Sequence, residues 1–223
     1  MPPKPRPRGK PKPPPPSSGV DRRTLMIAAV VGVVALAAVA VALAVGVGGG
    51  GDGGGDATAA LEAAGCTLTS VEALPGSHTV TTPEGTSEEW NTDPPTSGAH
   101  YEVPAIWGSY DQPVNQAQLV HNLEHGGIFV QYGDDAPAAT VEQLEQFVQD
   151  HPRGTILAPY PALGSQIALG AWVTESPSEP EKGTGYLAKC PTFDETAFAA
   201  FFDAYQFQGP ERFPADSLLP GHT

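Results

Sequence analysis

An α+β fold, a mixed β-sheet covered by helices and preceded by one transmembrane helix, follows from three features of the sequence. The first is an uncharged apolar run from Leu25 to Val47. The second is the order of segments beyond residue 114, where helix-periodic and β-prone stretches run helix, strand, helix, strand, strand, helix. Such an order calls for a mixed sheet with one right-handed parallel crossover. The third is a pair of capping-box signatures, Thr140–Gln143 and Thr192–Glu195, which open the last two helices.

Residues 1–23 (MPPKPRPRGKPKPPPP and the seven that follow) are proline-rich and basic. Such a segment cannot bury a core and stays extended, a disordered tail. Leu25 to Val47 holds 23 residues, roughly 35 Å of helix at about 1.5 Å per residue, against a hydrocarbon core of about 30 Å. The run is apolar on every face, unlike a helix of a soluble core, and longer than the apolar region of a cleaved signal peptide. Cys66 lies too far beyond it to be a lipoprotein cysteine. Seven basic side chains and one acid precede residue 24, so the tail is expected in the cytoplasm and the body outside, with residues 24–47 in the cell-membrane bilayer. Residues 48–56 are a Gly-rich linker, and the extracytoplasmic domain spans 57–223. After residue 47 only four basic residues face 24 acids, and the whole chain carries a net charge of −14. A body this acidic repels phosphates, which excludes nucleic acid as a partner.

Within the domain, Ala57–Ala64 reads as a short helix stopped by Gly65, and Thr67–Leu74 as a strand. Pro75–Asp93 is turn-rich and carries no clear period. Pro94-Pro95-Thr96-Ser97-Gly98 is a constrained turn that delivers His100 and Tyr101. Val114–His125 has a helical apolar stripe (Leu119, Val120, Leu123), Gly126-Gly127 ends it, and Ile128–Tyr132 is β-prone. A helix from Thr140 to about Gln149 follows, then strands Thr155–Ala158 and Ile167–Val173 joined as a hairpin, then a helix from Thr192 to about Gln206. This order also occurs in the later part of a thioredoxin-like fold, yet the redox Cys-x-x-Cys is absent.

Cys66 and Cys190 are the only cysteines. In an oxidising compartment such a pair forms a disulfide. His121-Asn122-Leu123-Glu124-His125 sets two imidazoles one turn apart with a carboxylate between them, as helices present metal ligands. The string also matches His-x-x-Glu-His of inverted zinc peptidases, in which a further acid lies on a following helix of a much larger catalytic unit, but here Gly126-Gly127 breaks the helix at once. The metal reading takes His100, His121 and His125 as ligands, His78 as a fourth, and Glu124 as the group that orients an imidazole. Nitrogen donors suit Zn²⁺ or Cu(II), and the only methionines, Met1 and Met26, lie outside the domain, which argues against Cu⁺. The competing reading makes His121 and His125 structural, bonding free carbonyls at a helix end. A metal-dependent hydrolase is a third reading. Ser97 and Ser109 lack a nucleophile elbow, so serine hydrolysis has no support, and no catalytic residue is assigned.

Asp-Pro-Pro-Thr-Ser-Gly-Ala-His100-Tyr, Trp-Gly-Ser-Tyr110 and Val-His121-Asn-Leu-Glu-His125-Gly-Gly together resemble the family known as domain of unknown function 3105, over most of Cys66 to about Phe213. The resemblance implies a membrane-anchored or exported domain behind a tether and implies no reaction. No protein partner is indicated.

Overall fold

The computed structural model describes residues 53–82, 85–87, 89–176 and 182–223. The proline-rich tail, the expected membrane helix 24–47 and the first part of the linker lie outside them. Among the described residues no helix is long and apolar enough to cross a membrane. The helix expected from Ala57 begins earlier: α1 spans Gly53–Ala63, so the end of the expected linker is helical. Asp56 in its first turn favours the positive end of the helix dipole.

Beyond α1 come β1 (Thr67–Glu72), β2 (Ser77–Val80), β3 (Ala99–Tyr101), β4 (Gly108–Ser109) and α2 (Gln116–Glu124). They are followed by β5 (Ile128–Tyr132), α3 (Ala138–Asp150), β6 (Thr155–Pro159), β7 (Ile167–Thr174), β8 (Gly183–Cys190) and α4 (Glu195–Tyr205). Six strands form one mixed sheet in the order β1-β8-β7-β5-β6-β4, and β2 pairs with β3 in a separate parallel ribbon. The class is α+β, as the sequence implies. The parallel crossover is β5-α3-β6.

Three expectations are corrected. The hairpin between residues 155–158 and 167–173 does not form, because β5 lies between β6 and β7 and pairs with both. β7 instead turns into β8, a strand the sequence reading left unassigned. The capping boxes also fail in detail. Helix α3 starts three residues before Thr140 at the N-cap position Pro137, and α4 is capped by Asp194, whose carboxylate accepts from the Ala197 amide at 2.9 Å.

The sheet separates two cores. On one face α1, α3 and α4 bury Leu61, Leu144, Phe147, Phe198 and Phe201 against Ile128, Val130, Ile167 and Leu169. On the other, α2 buries Leu119, Val120 and Leu123 with Trp107, Phe129, Ile156 and Trp172. Strand alternation divides them: Ile128 and Val130 of β5 point one way and Phe129 the other. β8 carries glycines where bulk would collide. A Cβ on Gly185 would lie 2.3 Å from Thr96 Oγ1, and one on Gly183 would lie 2.9 Å from Trp172 Nε1. That strand is therefore shaped to receive the Pro94–Gly98 loop.

A candidate metal centre

The centre lies on the α2 side of the sheet and is built from three short segments. The loop before β3 is anchored at several points. The Leu74 amide donates to Ser97 Oγ at 3.0 Å, the Thr96 amide to Thr92 Oγ1 at 3.0 Å, and the Trp90 indole to the Ala99 carbonyl at 2.9 Å. The Tyr160 hydroxyl donates to Asp93 at 2.5 Å, and burial together with that carboxylate pushes the phenol pKa up to about 12. Gly98 takes φ +103, where a side chain would also press on Leu74. Residues 94–98 are buried, and they fix the start of β3, hence His100.

Helix α2 supplies His121 and Glu124, three residues apart on one face. Between them Asn122 staples the neighbouring loop: its Oδ1 accepts from the Ala105 amide at 2.9 Å and its Nδ2 donates to the Ala105 carbonyl at 2.8 Å. The helix ends through Gly126, at φ +90, whose amide donates to Leu123 O. Gly127 then passes so close to Trp107 that a Cβ would lie 2.3 Å from the indole.

His78 on β2, His100 on β3, and His121 and Glu124 on α2 each present a ligand atom, and all four atoms lie within 4.8 Å of one another. His100 Nε2 is 3.0 Å from Glu124 Oε2, and His78 Nε2 is 3.9 Å from the same oxygen. The rings of His78, His100 and His121 sit with centroids 4.7 to 4.9 Å apart. Tetrahedral zinc at about 2.0–2.1 Å from nitrogen sets its ligand atoms about 3.3 Å apart, so the group needs to contract by about 1.5 Å at its widest.

Hydrogen bonding sets the tautomers. His100 Nδ1–H donates to the Gly98 carbonyl at 2.8 Å, and His121 Nδ1–H to the Tyr101 carbonyl at 2.7 Å. Nε2 is then the inner nitrogen of each ring, turned toward Glu124 in His100 and shared with His125 Nε2 at 3.1 Å in His121. An Nδ1–H tied to a carbonyl is the arrangement in which metal-binding histidines are held. Burial lowers the pKa of His121 and outweighs the Tyr101 bond, so the ring is neutral. Burial pushes the Glu124 carboxyl up, but a hydrogen bond with His100 and the surrounding imidazoles of His100, His121 and His78 together carry it below its ordinary value, so it is ionised. His100 Nε2 and Glu124 Oε2 are both buried, and the nearest partner of each is the other, at 3.0 Å. A buried carboxylate among imidazoles is costly to leave without a counter-charge, and either a proton shared with His100 or a bound cation supplies one.

The structure brings together three of the expected ligands, His78, His100 and His121. It also places a Glu124 carboxylate oxygen among the candidate donor atoms, where an orienting role was expected. His125 does not join the four. It occupies the C-cap of α2, where its ring stacks on Phe213 at 4.1 Å and its Nε2 lies 3.6 Å from Glu211. Its Nε2–H points to His121 Nε2 at 3.1 Å. Burial, with His121 second, lowers its pKa to about 4, so it is neutral at pH 7. Of the two histidines left out of the expected set, His151 stacks on Phe147 at the end of α3 and the exposed His222 lies near the C-terminus. Gly76 went unnoticed in the sequence: a Cβ there would lie 2.6 Å from Glu124 Oε1, so only glycine lets the chain pass this close to the carboxylate. Cys66 and Cys190 are joined as a disulfide.

Neither curated proteins nor solved structures offer a match to the chain. A family model, described as Protein of unknown function (DUF3105), matches residues 82–217, which include His100, His121 and Glu124 and begin just after His78. That span is more than half of the 223 residues, and the chain belongs to this family, DUF3105.

Proposed function

We propose that the domain binds one divalent transition-metal ion, Zn²⁺ or Cu(II), through His78, His100, His121 and Glu124, and that the span Leu25–Val47 anchors it to the outer face of the cell membrane. The observation that carries the metal reading is the convergence of four donor atoms, one each from His78, His100, His121 and Glu124, all within 4.8 Å of one another, with His100 Nε2 and Glu124 Oε2 buried 3.0 Å apart. Three nitrogens and one carboxylate oxygen suit these ions, and no thiolate or thioether competes. Four protein donors close a tetrahedral shell, which favours binding over hydrolysis. The second zinc-peptidase histidine, His125, stands outside the group, which removes the main support for a hydrolase. The acidic surface of the domain concentrates cations around the centre. The strand order β8-β7-β5-β6, with β7 antiparallel to its neighbours, fits a thioredoxin-like scaffold put to a use other than redox.

The test is metal analysis of the full-length protein, purified in detergent and stripped with chelator before reloading. Wild type should take up one ion per chain, and His121→Ala none. Excess metal at about 100 times its Kd should stabilise wild type by about 2.7 kcal/mol. A chain that stays metal-free, with the same melting temperature in chelator, zinc or copper, overturns the reading and leaves a structural or interaction module. Protease added outside intact cells should remove the domain while sparing the tail.

A further inference from the structure

The four donors are not equivalent. His100 is fully buried and tied through Nδ1 to Gly98, and His121 is buried and tied through Nδ1 to Tyr101. Glu124 has a side chain only 10 % exposed and leaves α2 beside Gly76. His78 differs in every respect. Its side chain is 50 % exposed, and among the described residues no hydrogen bond holds its other ring nitrogen. Its strand has four residues and pairs only with β3, through two positions with an irregularity between them. Its Nε2 lies 3.9 Å from the carboxylate, against 3.0 Å for that of His100. Metal ligands whose second nitrogen is anchored are held firmly, whereas an unanchored one exchanges.

We infer that His78 is an exchangeable fourth ligand and that the centre accepts an external imidazole, such as a histidine side chain of a peptide, in its place. This rests on the metal reading above. The position faces solvent, and its walls are the rings of His100 and His121, 4.7 and 4.9 Å from the ring now seated there. A flat neutral ring fits that slot because one already does. Anionic donors are disfavoured by the charge of the domain, where 22 acids face four basic residues. Three buried donors, two nitrogens and a carboxylate, thus form the fixed part of the site, and the fourth position is where an ion is received from or passed to another histidine-bearing molecule.

Full-length protein loaded with Co²⁺ tests this, since its visible spectrum reports the ligand set. His78→Ala changes an exposed side chain and should keep one Co²⁺ per chain, with affinity lowered by about 10- to 100-fold. Added imidazole should return its spectrum to that of wild type, and acetate at equal concentration should not. Wild type should need more imidazole for any change, because His78 competes. The inference is overturned if His78→Ala loses Co²⁺ as fully as His121→Ala, or if imidazole leaves its spectrum unchanged. Equal rescue by acetate overturns the ligand class. A wild-type chain that takes up no Co²⁺ overturns the metal reading beneath, and the exchange with it.

Discussion

Glu124 is the residue on which the two uses of this site disagree. Its carboxylate is an asset to a bound cation and, without one, a buried charge whose nearest partner is His100 Nε2, 3.0 Å from Oε2. Glu124→Gln replaces an oxygen with an NH₂ group that can donate to that nitrogen. In chelator the variant is expected to match or exceed wild type, by up to about 1 kcal/mol in a denaturant titration. Its metal uptake should fall away, since an amide is a far weaker ligand. A variant that loses stability in chelator would show that His100 carries the proton and that the pair is an ion pair. The residue scale also shows why His125 was expected at the centre. Spacings of three and four residues share a helix face, so sequence alone cannot choose between Glu124 and His125 as the partner of His121. Termination chooses: Gly126 stops α2, and the ring at the C-cap turns toward Phe213 and Glu211.

Among elements, α2 has the largest role in the site, and its motif reads residue by residue. His121 and Glu124 face the centre, Leu123 enters the core, Asn122 holds the loop at Ala105, and Gly126 and Gly127 release the chain into β5. Asn122→Ala leaves the buried amide and carbonyl of Ala105 without partners, at about 1–3 kcal/mol each. Thermal or denaturant unfolding should record a loss of about 2–4 kcal/mol once some relaxation is allowed. Asn122→Asp keeps the acceptor for the Ala105 amide but sets a buried carboxylate oxygen against its carbonyl, so it should lose at least as much as Ala. If both variants unfold with wild type, the staple carries no stability. The same element was the most legible in the sequence, because an apolar stripe followed by Gly-Gly and a β-branched run marks helix, stop and strand together. β8 was illegible for the opposite reason. Gly183 and Gly185 read as loop, yet they are strand residues kept small by Trp172 and Thr96 from elsewhere in the chain. β2 was missed because four residues with one ribbon partner leave no period to read.

At the scale of the whole molecule, the sheet keeps two long-range ties apart. Cys66 and Cys190 lie in the core on the α1-α3-α4 face, whereas the metal group lies on the α2 face, with Trp172 6.4 Å from His100. The cysteine pair was legible from composition alone. The placement of the centre was not, since it depends on the β2–β3 ribbon and on the order of strands around β5. The separation has a measurable consequence. The disulfide closes a loop between cysteines 124 residues apart, and cross-linking one of that length is worth on the order of 4–5 kcal/mol in the chain-entropy model, with real bridges often giving less. Reduction should lower stability by a few kcal/mol and leave metal affinity nearly unchanged, because no donor segment is tied through the bridge. Perturbations on unconnected groups add to within about 0.5 kcal/mol. Unfolding free energies for the oxidised and reduced protein, each with metal and with chelator, complete a four-state cycle. A coupling well above that figure would mean that the two faces communicate through the sheet, and that the centre responds to the redox state of its surroundings.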